Sequence, residues 1–152
     1  MPDPIAKRIC TFLVSIGLPE RAGVIPGPSF LPGIAIEDGV LVVDEDRLLY
    51  PGDLLHEAGH LALLPGDTRR TLHGDAGDDG GLEVGAIAWS YAAAVHLGID
   101  PAVVFHEAGY RGASGSILEN FEAGRYIGVP IMQWAGLTTA ESYPLMHAWL
   151  RD

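Results

Sequence analysis

Leu54-Leu55-His56-Glu57-Ala58-Gly59-His60-Leu61-Ala62-Leu63-Leu64 is the stretch around which the rest of the chain is organised. Apart from His56, Glu57 and His60, every position is apolar or small, so the segment reads as a buried helix rather than a loop. On a helix, residues i and i+4 share a face, one turn apart. His56 and His60 therefore converge on a single point. The pattern is H-E-x-x-H, and that geometry suits one ion held by two imidazoles. Zn²⁺ takes His nitrogens at about 2.0–2.1 Å, and a catalytic zinc site uses three protein ligands and a water. Glu57 flanks such an ion and is placed to take a proton from that water. Two satisfied helix histidines are the simpler account, but the apolar setting argues against it: Leu54, Leu55, Ala58, Leu61 and Ala62 bury the rest of the helix, leaving the three polar residues without a general solvent-facing role.

The surroundings begin with a capped helix. Asp3-Pro4 has the form of an N-cap followed by proline at the first helical position, and the helix is expected to run to about Ile16 and stop at Gly17. Lys7 and Arg8 precede the apolar run Ile9–Leu18, as in a signal peptide, but Pro2, Asp3 and Pro4 stand in front and no small-x-small cleavage site follows. Residues 19–33 are rich in Pro and Gly and are expected to be loop. Two β-rich runs, Ile34–Glu37 and Val40–Val43, then flank Asp38-Gly39, a strong two-residue hairpin signal. Pro51-Gly52-Asp53 opens the H-E-x-x-H helix, with Asp53 as the expected cap, and Pro65-Gly66 ends it. Gly59 costs about 1 kcal/mol in mid-helix relative to Ala, for which close approach of another backbone would be the reason.

Residues 65–81 are expected to be a long polar loop, with His73, Asp75, Asp78 and Asp79 as possible ligands. A calcium loop is not supported, because the Asp-x-Asp-x-Asp-Gly spacing with a distal Glu is missing. Leu82–Leu97 forms a second helix that is apolar nearly all round and therefore central. Its one acid, Glu83, sits near the start, where it either meets a metal or partner, caps the helix or faces solvent. Asp100-Pro101 starts a third helix through Glu107. His106-Glu107-Ala108-Gly109-Tyr110 repeats the letters of 56–59 but has Tyr in place of a second His. Ser116 with Glu119 suggests a capping box. Residues 126–137 are ambiguous between strand and helix, and Thr139–Leu150 is expected to be a last helix, broken near Pro144.

The chain has 152 residues, 48% of them hydrophobic, which suits one globular α+β domain over 1–152, mainly helical. The hairpin would pack beside the H-E-x-x-H helix, with a second buried helix against it. A net charge of −11 argues against nucleic acid or an anionic membrane surface as a partner, since both call for clustered Lys and Arg. No apolar run reaches the ~20 residues of a membrane span. The single cysteine, Cys10, rules out a disulfide framework within the chain or a Cys-rich zinc site. These features point to a cytoplasmic protein.

His56-Glu57-x-x-His60 followed by an acid on a later helix resembles the zincin metallopeptidases, and more narrowly their Glu-ligand branch, the gluzincins. The resemblance spans roughly residues 34–97. It implies a Zn²⁺ cofactor held by His56, His60 and Glu83, which follows His60 by 23 residues and begins a helix, with Glu57 as general base. It implies a peptide or protein substrate, and a strand beside the helix whose edge could hold an extended chain. The metzincin extension is excluded by Leu63 and Gly66, and the thermolysin-type Glu-x-x-x-Asp is absent because position 87 is Ile. A Tyr or His would steady the oxyanion, with Tyr110 and His106 the candidates carried forward alongside Tyr91 and Tyr143. The alternative is a non-catalytic zinc-containing binding or regulatory module, for which Glu57 would have no use.

Overall fold

Asp3 opens helix α1 (Pro4–Ser15) as expected, accepting hydrogen bonds from the backbone N–H groups of Ile5 and Ala6 at 2.8 and 3.2 Å. Gly17, at φ 100°, turns the chain out of the helix in a conformation that favours glycine. The structure is a computed structural model that describes residues 3–27, 29, 31–73 and 80–152. Cys10 is buried on α1, and burial is the main reason its thiol is pushed up to about 12.

Residues 19–33 are not all loop. Glu20–Ala22 forms strand β1, a three-residue element whose pairing partner lies some twenty residues downstream. The hairpin is present as β2 (Ile34–Glu37) and β3 (Val40–Val43). Asp38 and Gly39 have φ 49° and 77°, so both turn residues are left-handed, as the tight hairpin turn requires. The sheet order is β1-β3-β2, with β1 parallel and β2 antiparallel to the central β3. Ile34, Ile36, Leu41 and Val43 point into the same core as Leu54 and Leu55.

Helix α2 (Asp53–Leu63) carries the H-E-x-x-H motif and is buried at all eleven residues. Asp53 does not cap it. Gly52 occupies the cap position, and the Asp53 side chain is drawn inward to His106. Part of the expected 65–81 loop is helical, α3 (Gly66–Thr71). Asp75, Asp78 and Asp79 lie outside the described residues. Helix α4 (Gly80–Leu97) is the central partner of α2. A Cβ built on Gly59 would stand 2.9 Å from the Ala86 carbonyl oxygen and 3.1 Å from its Cα. The mid-helix glycine thus lets the two backbones touch, which offsets its cost in helix propensity.

The C-terminal half wraps this pair. Asp100 caps α5 (Pro101–Val104), accepting from Ala102 N–H at 2.9 Å, but the helix ends three residues before Glu107. A short 3₁₀ turn (Tyr110–Gly112) leads to α6 (Ser114–Glu122), which starts ahead of Ser116, so the Ser116–Glu119 box is not used. The ambiguous stretch resolves as helix α7 (Val129–Trp134), packed on α4. The expected helix over 139–150 does not form. Its polar backbone finds partners elsewhere: His147 and Ala148 N–H donate to the Leu137 carbonyl, and Arg151 N–H donates to that of Ala62. Trp89, fully buried on α4, donates from Nε1 to the Trp149 carbonyl at 2.9 Å. Burying a side chain of this size contributes roughly 1.5–3 kcal/mol. Among the described residues, no helix is long and apolar enough to cross a membrane.

Candidate metal centre

Two helices build the centre. From α2, one turn apart, come His56 and His60, with ring centroids 4.9 Å apart and planes at 84°. From the first turn of α4 comes Glu83, whose carboxylate spans both imidazoles. Its Oε2 lies 2.6 Å from His60 Nε2 and its Oε1 3.2 Å from His56 Nε2. The hydrogen bonds from His56 and then His60 hold the Glu83 carboxyl well below the usual carboxylate range, against the opposing effect of burial.

The three residues form a group that can hold a metal ion, with one ligand atom from each and all three within 4.8 Å of one another. Tetrahedral zinc at its usual bond lengths places ligand atoms roughly 3.3 Å apart. Two imidazole nitrogens and a carboxylate oxygen at these separations fit that requirement. The group is asymmetric in exposure: the His56 and His60 side chains are 10% and 5% exposed, whereas that of Glu83 is 40% exposed. Among the described residues, the centre is therefore walled by α2 and exposed on the Glu83 side. Among the described residues no fourth His, Cys, Asp or Glu joins the group, and His73 is exposed and not part of it. Glu57, next to His56, is buried.

The remaining candidates fall in different places. The Tyr110 hydroxyl lies 3.1 Å from His56 Nδ1, the ring nitrogen that does not face Glu83. Tyr110 thus meets the centre from behind His56. It does so at φ 58°, an uncommon left-handed conformation for a bulky residue. Such backbone costs of order 1–3 kcal/mol and persists where its surroundings enforce it. His106 lies beyond α5, with Nε2 2.7 Å from Asp53 Oδ1 and its ring stacked on Tyr50 at 4.0 Å. Asp53 is one turn before His56 on α2. Burial raises its carboxyl and His106 opposes that rise. Tyr91 and Tyr143 belong to an aromatic cluster with Phe121 and Tyr126, and the Tyr143 hydroxyl donates to the Ala88 carbonyl.

Two residues that touch this arrangement carry little signal in the sequence. Asp53 reads as a helix cap, although its place three residues before His56 puts it on the motif's face. Ser90 is a lone small polar residue on an otherwise apolar helix, seven residues, two helical turns, after Glu83.

No family model, curated protein or solved structure matches this chain.

Proposed function

We propose that the protein is a zinc-dependent hydrolase of the zincin type, a cytoplasmic enzyme that cleaves a peptide or amide bond. The observation that carries this is the open triad of His56, His60 and Glu83 with a second carboxylate, Glu57, on the same helix beside it. A structural zinc site closes its fourth position with protein, whereas a catalytic one leaves it open. Three ligands with an exposed side fit the second kind.

Zinc bound here would supply Lewis acidity, polarising a carbonyl and making a water acidic near neutral pH. The protein residues do the rest. His56, His60 and Glu83 would hold the ion. Glu57 accepts the proton of the attacking water and delivers it to the leaving amine. The buried walls around α2 lower the local dielectric and strengthen both transfers. Tyr110 and His106 both direct a polar atom at a protein partner, and we assign neither to the oxyanion.

The test is zinc content together with turnover on a peptide library, for wild type and Glu57→Gln. The amide keeps the size and packing of Glu57 but cannot take the proton. The expected result is one zinc per chain in both proteins, and turnover lower by about 10²–10⁴-fold in the variant. A wild-type protein that takes up no zinc overturns the reading. So does one that binds zinc but cleaves nothing, which would favour a non-catalytic zinc module.

A further inference from the structure

The chain between α5 and the 3₁₀ turn bears on α2 at two points. At one, His106 Nε2 lies 2.7 Å from Asp53 Oδ1. At the other, the Tyr110 hydroxyl lies 3.1 Å from His56 Nδ1. Asp53 and His56 are three residues apart on α2 and share a face, so both contacts meet the helix on one side. A single turn joins them. The Gly109 N–H donates to the His106 carbonyl at 3.1 Å, closing the four residues His106–Gly109 just ahead of Tyr110.

We infer that residues 105–112 form a two-pronged clip on the candidate metal centre, in which His106 is a positioning residue: by holding Asp53 it seats the turn from which Tyr110 bears on His56. This deepens the metal reading and rests on it for its purpose, though not for its geometry. Each joint of the clip is closely built. At its base, a Cβ on Gly52 would collide with the Val103 carbonyl oxygen, so the start of α2 lies directly on the end of α5. At the first prong, Tyr50 stacks on the His106 ring with centroids 4.0 Å apart. A Cβ on Gly109 would stand 3.3 Å from His106 Cε1, so the ring is packed against the turn as well. At the second prong, the Tyr110 ring stands edge-on to His56 and to Phe105, with centroids 5.2 and 5.4 Å away. Tyr110 does this at φ 58°, a backbone that persists only where its surroundings enforce it. The prong four residues upstream is part of that enforcement. A phenol both donates and accepts, so the contact with Nδ1 holds whichever His56 nitrogen carries the proton. Outer partners of this kind orient metal-binding histidines.

The test is a double-mutant cycle on the full-length protein with two readouts. One is the ¹H–¹³C spectrum of ring-labelled histidine in the metal-free protein, which reports the surroundings of His56. The other is zinc affinity, read by competition with a chromophoric chelator. Tyr110→Phe keeps the ring contacts and removes the hydroxyl. It should move the His56 ring signals and lower zinc affinity by about 10–100-fold. His106→Ala should do the same, because Tyr110 loses its seat. With His106 already replaced, Tyr110→Phe should change neither readout further, the mark of two groups acting as one unit. His106→Ala strands a buried carboxylate. Where it fails to fold, Asp53→Ala takes its place in the cycle, since it removes the same prong and leaves no charge behind. Additive effects of the two substitutions overturn the clip. So does a folded His106 or Asp53 variant whose His56 signals match wild type. A coupled cycle in the spectra of a protein that takes up no zinc upholds the clip and defeats the metal reading. Tight zinc binding with an additive cycle does the reverse.

Discussion

Gly59 of α2 and Ala86 of α4 touch backbone to backbone, at a point midway along α4 between Glu83 and Ser90. The contact therefore sets the spacing of the two helices where the ligands from each must meet. A Cβ at position 59 would sit 2.9 Å from the Ala86 carbonyl oxygen, closer than real Cβ atoms come. Backbone cannot swing aside as a side chain can, so Gly59→Ala forces the helices apart. Alanine is the better helix former by about 1 kcal/mol, yet overpacking a tight contact costs about 1–3 kcal/mol. The variant should be less stable than wild type in urea unfolding, and its zinc affinity should fall. A variant as stable as wild type with unchanged affinity would contradict this role.

Asp53 and His106 give a prediction with a pH sign. Their side chains are 7% and 15% exposed and 2.7 Å apart. His106→Ala leaves the Asp53 carboxylate buried without its cation-capable partner, which at neutral pH should cost roughly 3–5 kcal/mol. Burial already raises the Asp53 carboxyl, and removing His106 removes the two largest opposing effects. A carboxyl raised in the folded state destabilises above its folded pKa, and that penalty is relieved as pH falls through it. The stability gap between variant and wild type should therefore narrow at the acid end, once pH falls through the raised Asp53 carboxyl and the buried group takes up its proton. A gap that stays as wide with the carboxyl protonated would exclude this account.

The elements that sequence made legible are those with local signals. The Asp3 cap, the Asp38-Gly39 turn, the apolar α4 and the i, i+4 histidines each declare themselves within a few residues. β1 did not, because a three-residue strand exists only through parallel pairing with β3, and nothing in Glu20–Ala22 names that partner. The 139–150 segment has helical letters, but its backbone bonds to Leu137 and Ala62 win over local propensity. In the centre, Glu83 was legible from its isolation on an apolar helix. The side from which Tyr110 approaches His56 was not, since it depends on how α4, α5 and the 3₁₀ turn pack.

The end of α2 is closed by arginines. Arg151 Nη1 donates to the Leu63 carbonyl at 3.1 Å, and Arg69 Nη1 donates to those of Leu64 and Arg151 at 3.1 and 2.9 Å. These meet carbonyls that the helix itself cannot satisfy, at the negative end of its dipole. Arg151 also lies 4.3 Å over the Trp134 ring. Arg151→Ala should lower stability by about 1.5–3 kcal/mol, the range for hydrogen bonds to charged groups. Arg151→Lys should recover only part, because an ammonium lacks the planar fork. Thermal unfolding of both variants checks the order.

Glu83 decides the ligand set. Its carboxylate faces both imidazoles, so Glu83→Ala should weaken zinc binding by more than the ~10–100-fold that follows loss of a ligand's outer partner. Asp75→Ala, Asp78→Ala and Asp79→Ala should leave affinity unchanged. Stability reports the same event. A ligand bound only by the folded state stabilises by about 2.7 kcal/mol at 100 times its Kd. Added zinc should therefore raise the wild-type Tm and a chelator should reverse the rise, while Glu83→Ala shows no rise at the same zinc concentration. The metal-free protein adds a sign. The Glu83 carboxyl is lowered in the folded state by His56 and His60, so its contribution is present above the unfolded carboxylate pKa of about 4.3 and fades as pH falls below it. With the side chain 40% exposed, that contribution is screened and small. Glu83→Gln should remove it, flattening the acid limb of the metal-free stability curve. Release of zinc by the Asp variants, with Glu83→Ala still binding it tightly, would move the third ligand out of α4.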